Sequence, residues 1–109
     1  MTENENLVVV AMEECAEVQQ LLSKSMRFGF DNYHPDDITR TTNLDSLIEE
    51  YAQLTAVMEQ LLINENININ NWKDINGNTF DSIKKNKINK VQYYVQLSRS
   101  LGLIQDMPK

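Results

Sequence analysis

Residues 7–29 read LVVVAMEECAEVQQLLSKSMRFG, and the fold class turns on how this stretch is phased. Apolar or small residues at Leu7, Val10, Ala11, Val18, Leu21, Leu22 and Ser25 recur at helical spacing, which gathers them on one side of an α-helix. Arg27 lies near the C-terminal end, where a cation complements the helix dipole, and Gly29 supplies a stop. The spacing predicts a helix from about Asn6 to Phe28.

Working outward, residues 30–42 contain Pro, Asp and Thr without sustained periodicity. They read as a loop with room for one helical turn after Pro35. Asn43 is a good N-cap for a second helix from Leu44 to about Asn64. Its seam runs from Leu44, Leu47 and Ile48 through Tyr51, Leu54, Val57 and Met58 to Leu61 and Leu62. Residues 63–71 alternate polar and apolar, yet a lone strand has no partner here, so a loop or helix end is expected. Asn76-Gly77 marks a turn. A third helix is expected from Thr79 or Phe80 to Leu101, apolar at Phe80, Ile83, Ile88, Val91, Tyr94 and Val95. Lys84, Lys85, Lys87 and Lys90 give it a basic exposed face, and Gly102 ends it. The fold class is therefore all-α, a small antiparallel helical bundle.

A chain of 109 residues has room for one domain, with flexible ends expected at about 1–5 and 103–109. So short a chain buries a modest share of its surface, and an oligomer would cover its apolar stripes. The formal net charge of −6 argues against a grip on nucleic-acid phosphates, whereas bound divalent cations keep nucleotides open as ligands. Cys15 is the sole cysteine, which rules out an intramolecular disulfide; its place inside a helix reads as a small buried residue. No signal peptide or membrane span is evident, and a cytoplasmic protein is expected.

The acids carry the chemistry. Ala11, Glu14, Val18 and Leu21 follow steps of three and four, so Glu14 interrupts the apolar stripe, with Glu17 one turn on. Leu47, Glu50, Leu54 and Val57 repeat the pattern on the second helix. Unpaired carboxylates at a helix–helix seam are costly, and proteins relieve them by protonation, pairing or metal coordination. Mg²⁺ suits such a site because it prefers oxygen ligands and bridges carboxylates to substrate phosphates.

The wording of these stretches adds a resemblance. Glu13-Glu14-Cys15-Ala16-Glu17 resembles the EExxE signature of the MazG-like all-α nucleoside triphosphate pyrophosphohydrolases, and Ser23-Lys24-Ser25-Met26-Arg27-Phe28-Gly29 looks like the SKxxRFG of short, phage-type members. Glu49-Glu50-Tyr51-Ala52-Gln53 resembles their second signature, and the Lys-rich helix with Tyr93-Tyr94 and Ser98-Arg99 is similar to their C-terminal helix. The resemblance implies metal ligands at Glu14, Glu17 and Glu50, with Glu13 and Glu49 in support. It also implies a Mg²⁺-dependent cleavage of a nucleoside triphosphate, or an alarmone, between the α and β phosphates; Mn²⁺ can substitute. A homodimer or homotetramer is implied as well.

One position departs from the pattern. The Asp expected at the end of the second signature is Gln53, whose amide oxygen can ligate a metal but brings no negative charge. The alternative is therefore a weakened or inactive module that binds nucleotide or protein. Candidate substrate contacts are Lys84, Lys85 and Lys87 for phosphates, and Trp72 and Tyr94 for stacking. Asp74-Ile75-Asn76-Gly77-Asn78 has a trace of a calcium loop, but its twelfth position is Lys85, and a turn is the expectation. His34, the only histidine, reads as loop packing rather than a ligand.

Overall fold

A computed structural model describes residues 1–105. Three helices carry the chain: α1 (Glu3–Phe28), α2 (Asn43–Asn64) and α3 (Phe80–Ser100). No strand occurs among the described residues, only an isolated bridge between Lys73 and Thr79, so the all-α expectation holds. The chain divides into two compact units, Met1–Ile67 and Asn68–Lys109. The residues of the expected tail beyond 105 lie outside the described part.

Each helix starts on a threonine. Thr2, Thr42 and Thr79 accept from the backbone N–H three residues on, while Glu5, Asp45 and Ser82 reach back to the cap. The first box makes Glu3 to Glu5 the opening turn of α1, where a flexible lead-in to Asn6 was expected. The second moves the N-cap of α2 from Asn43 to Thr42. Asn43 is engaged elsewhere: its amide donates to the Gly29 carbonyl and its backbone N–H to the Asn32 carbonyl.

α2 and α3 end alike. Ile67 N–H donates to the Leu62 carbonyl and Asn66 N–H to Ile63, with Asn66 left-handed at φ 59. Leu103 and Gly102 repeat this on Ser98 and Arg99, with Gly102 at φ 75. Both are Schellman closures, which place a residue at positive φ just past the helix.

In the first unit α1 and α2 run antiparallel. Asn64 donates to Asn4 and Asn4 to Glu65 at one end, while Asn43 meets Gly29 at the other. The seam between them follows a strict alternation of four- and three-residue steps, the spacing of a coiled coil. On α1 it comprises Leu7, Ala11, Glu14, Val18, Leu21 and Ser25; on α2 it comprises Leu47, Glu50, Leu54, Val57, Leu61 and Asn64. Only Ala11 and Ser25 are buried among the described residues, Ser25 with its hydroxyl on the Leu21 carbonyl.

Several residues expected in that seam lie one position along from it. Leu22 on α1, and Leu44, Ile48, Tyr51 and Met58 on α2, are exposed, Tyr51 by 65%. A step of one residue turns 100° around a helix. In an antiparallel pair this step carries both helices' next residues to the same flank. Val8, Met12 (67% exposed) and Met26 (90%) complete that apolar flank on α1. Cys15 belongs to it too: exposed rather than buried, it helps line a shallow groove of about 410 Å³ with Val8, Met12, Ala16 and Met58.

The segment between α1 and α2 is a loop, as expected, built of turns without a helical turn after Pro35. Asp37 organises it, accepting from the Thr39 hydroxyl and from the Thr39 and Thr41 backbone N–H groups. These bonds favour the ionised form and hold the Asp37 carboxyl below its usual range.

In the second unit Asp74 does similar work. It accepts from the backbone N–H groups of Asn76 and Asn78 and from the Asn78 amide, closing the turn at Gly77 (φ 81). The Asn78 bonds above all lower its pKa, and each of its oxygens is engaged within the turn. On α3, Phe80, Lys84, Lys87, Val91 and Tyr94 share one stripe, so the lysines are interleaved with apolar residues instead of forming a separate basic face.

Replacing Thr42 with Ala removes the cap between the loop and α2. A loss of about 1 kcal/mol is expected from a denaturant titration followed by circular dichroism. An unchanged midpoint would mean that Asp45 and the Asn43 contacts fix this end without the hydroxyl.

Candidate metal-binding carboxylate site

Glu14 and Glu50 occupy seam positions, where the phase of each helix aims a side chain at its neighbour. Glu17 is one turn beyond Glu14, on the flank opposite Met12 and Tyr51. The two helices thereby bring one carboxylate oxygen from each of Glu14, Glu17 and Glu50 within 4.8 Å of one another. Glu14 and Glu50 are half-buried and Glu17 is exposed.

One oxygen of Glu14 and one of Glu50 are shut off from solvent and have no hydrogen-bond partner. A buried acceptor without a donor costs free energy, more so when it carries charge. Without a cation, a proton is the available relief. The Glu50 carboxyl is pushed up to about 7, first by sharing its proton with Glu14 and next with Glu17; desolvation and the repulsion of both neighbours add to this.

The donor set is oxygen only, two shielded carboxylates and one open to solvent. That combination fits a hard divalent cation that keeps part of its shell for water or phosphate, as Mg²⁺ does. Thiolate or imidazole chemistry does not fit, since Cys15 is on the apolar flank and His34 is in the loop, bonded to the Asp36 backbone N–H. Gln53 lies one turn beyond Glu50, exposed, on the flank that carries Glu17.

Of the residues singled out in the sequence, Glu14, Glu17 and Glu50 come together. Glu13 and Glu49 are exposed on the carboxylate flank beside them. Lys84, Lys85, Lys87, Trp72 and Tyr94 belong to the second unit, where all five are exposed. Helical spacing alone does not separate the apolar flank from the seam. The flank's signal is present in the second series of four- and three-residue steps, Val8, Met12, Cys15, Gln19, Leu22 and Met26.

No family model, curated protein or solved structure matches the chain. The resemblance to MazG-like proteins therefore rests on the motifs quoted above.

The raised Glu50 pKa fixes the sign of a pH effect. The folded state holds this proton more tightly than the unfolded chain, whose ordinary carboxyl value is 4.5. The stabilisation is full below that value and is lost as pH rises through about 7. In metal-free buffer the melting temperature is expected to fall between about pH 5 and about pH 8, and Glu50→Gln to flatten that part of the profile. An identical slope in the variant would take Glu50 out of the explanation.

Proposed function

We propose that the chain is a Mg²⁺-dependent nucleoside triphosphate pyrophosphohydrolase, with Glu14, Glu17 and Glu50 holding the metal. The observation that carries this reading is the pair of shielded, unpartnered carboxylate oxygens in a cluster of three. The order of residues in Glu13-Glu14-Cys15-Ala16-Glu17 and Glu49-Glu50 adds the family expectation. Bound Mg²⁺ would draw charge from phosphate oxygens and make a water more acidic.

The overall change is balanced simply. Water adds to phosphorus, the α–β phosphoanhydride bond breaks, and a nucleoside monophosphate and pyrophosphate form with release of a proton. The chain's own part is positional. Glu14 and Glu50 are fixed by the seam, so their oxygens need little reordering to meet a ligand. Glu17 supplies the solvent-facing side, where a polyphosphate can approach.

Gln53 favours a second reading, a module that binds nucleotide or a protein without turnover. Three carboxylates can retain the metal there, while the missing fourth charge lowers affinity or idles the site.

Self-association supports either reading. A pair of helices with only two buried residues among those described has little core of its own, and many of its large apolar side chains are exposed. We infer a homodimer or homotetramer in which a second copy covers the apolar flank. No helix is long and apolar enough to cross a membrane among the described residues, so a lipid bilayer does not account for that flank by a transmembrane span.

Incubation with dNTPs, NTPs and ppGpp plus Mg²⁺ or Mn²⁺ is expected to release pyrophosphate from at least one substrate. Failure across the panel with folded protein would reject the enzyme. Glu14→Gln and Glu50→Gln should each cost more than the ~10–100-fold typical of losing an outer-shell partner; full turnover in either would reject its role.

Gln53→Asp separates the two readings. A gain in turnover and in Mg²⁺ affinity is expected if Gln53 is the weak ligand of an otherwise complete site. Tighter metal binding with no turnover would favour the binding module.

A further inference from the structure

The formal charge of −6 conceals a division. Residues 1–67 contain three Lys or Arg against thirteen Asp or Glu, whereas residues 68–109 contain seven against three. The first unit is thus strongly acidic and the second basic. Charges of one sign gathered on one unit create a field that selects a partner of the opposite sign.

On α3 the cations are placed for contact with a protein. Phe80, Lys84, Lys87, Val91 and Tyr94 follow four- and three-residue steps, with Lys90 alongside. Phe80, Val91 and Tyr94 are exposed, and the Lys84 ammonium sits 5.4 Å from the Phe80 ring centroid. Lys84, Lys87 and Lys90 make no ion pair among the described residues. The stripe therefore asks for a surface that offers apolar contact and carboxylates together.

The carboxylate flank of the α1–α2 pair offers both. Glu13 and Glu49 are exposed beside the cluster and make no ion pair among the described residues, and Val10 and Ala56 lie on the same flank. We propose that α3 of one chain docks its lysine-bearing stripe along the carboxylate flank of the α1–α2 pair of a second copy, pairing Lys84, Lys87 and Lys90 with acids that include Glu13 and Glu49. This rests on the reading that the chain self-associates and assigns that association a polar interface in addition to the apolar flank; because Glu17 shares the carboxylate flank, a docked α3 and an approaching polyphosphate are alternatives there.

Two other partners fit less well. An anionic bilayer would take Lys84 and Lys87 into its apolar layer along with Phe80 and Val91, because they share the stripe. A nucleic acid would meet the acidity of the first unit.

The test is sedimentation velocity of the full chain over a concentration series, from about 50 mM to about 500 mM NaCl, a range that shortens the screening length severalfold. Self-association is expected to weaken at least tenfold at high salt. Lys84→Glu/Lys87→Glu/Lys90→Glu and Glu13→Lys/Glu49→Lys should each weaken it at low salt, and mixing the two variants should restore a mixed assembly. Circular dichroism checks folding; should a reversal variant not fold, the neutral Lys→Gln and Glu→Gln sets replace it. A monomer under all conditions overturns both this proposal and self-association. An oligomer insensitive to salt and to both variants overturns this proposal alone, leaving the apolar flank as the interface. Co-flotation of a monomer with phosphatidylserine vesicles, lost in the lysine variant, would overturn it in favour of a lipid surface.

Discussion

Two carboxylates at positions made for leucine set the terms for the α1–α2 pair. Glu14 and Glu50 fall in the alternation that carries Ala11, Val18, Leu47 and Leu54, so helix pairing brings them in whether or not their charge is welcome. An apolar residue in either place would fill the seam without the cost of an unpartnered oxygen. Two features ease the burden of the acids. The neighbouring Glu14 and Glu17 carboxyls raise the Glu50 pKa and so favour its neutral form, and Glu17 leaves the cluster open on one side, where water or a cation can reach it.

Stability then has to come from elsewhere in the unit. The ends of the helices are closed with care: threonine boxes at Thr2 and Thr42, a left-handed Asn66, and asparagine contacts at Asn4, Asn43 and Asn64. Caps of this kind contribute around 1 kcal/mol apiece. They also fix the register, and register matters more here than at an ordinary seam. A slip of one turn on either helix would shift Glu50 by ~5 Å along α1, out of register with Glu14. The polar ends and the acidic middle are thus parts of one arrangement.

How far this was legible in the sequence follows from the same geometry. Three helices could be read because their apolar steps are regular and Gly29 and Gly102 punctuate them. Glu14 and Glu50 could be read because an acid breaks an otherwise apolar series. The choice between neighbouring stripes could not: positions i and i+1 both carry Leu, Ile, Val or Met, and they differ by 100° of rotation. Residues at the ends decide it, through contacts such as Asn4 with Asn64 that join positions sixty apart in the chain. For the same reason Cys15, one step past Glu14, was expected inside and lies on the outer flank. The cap of α2 lies one residue before the expected Asn43 because Thr42 and Asn43 are both good candidates, and Asn43 has a carbonyl from another segment within reach.

The flanks give the seam its functional sense. One step forward from the seam the surface is mostly apolar, with Met12, Leu22, Ile48 and Tyr51; one step back from its middle lie the acids and an amide, Glu13, Glu17, Glu49 and Gln53. An antiparallel pair keeps these two characters on opposite sides, since forward steps on both helices turn the same way. A parallel pair would set an apolar flank of one helix against an acidic flank of the other and disperse both. The antiparallel arrangement therefore does two jobs at once. It concentrates carboxylates from separate helices around Glu17, and it leaves a continuous apolar surface turned away from them. Covering that surface would add the burial the seam forgoes, without placing any further apolar group against the carboxylates.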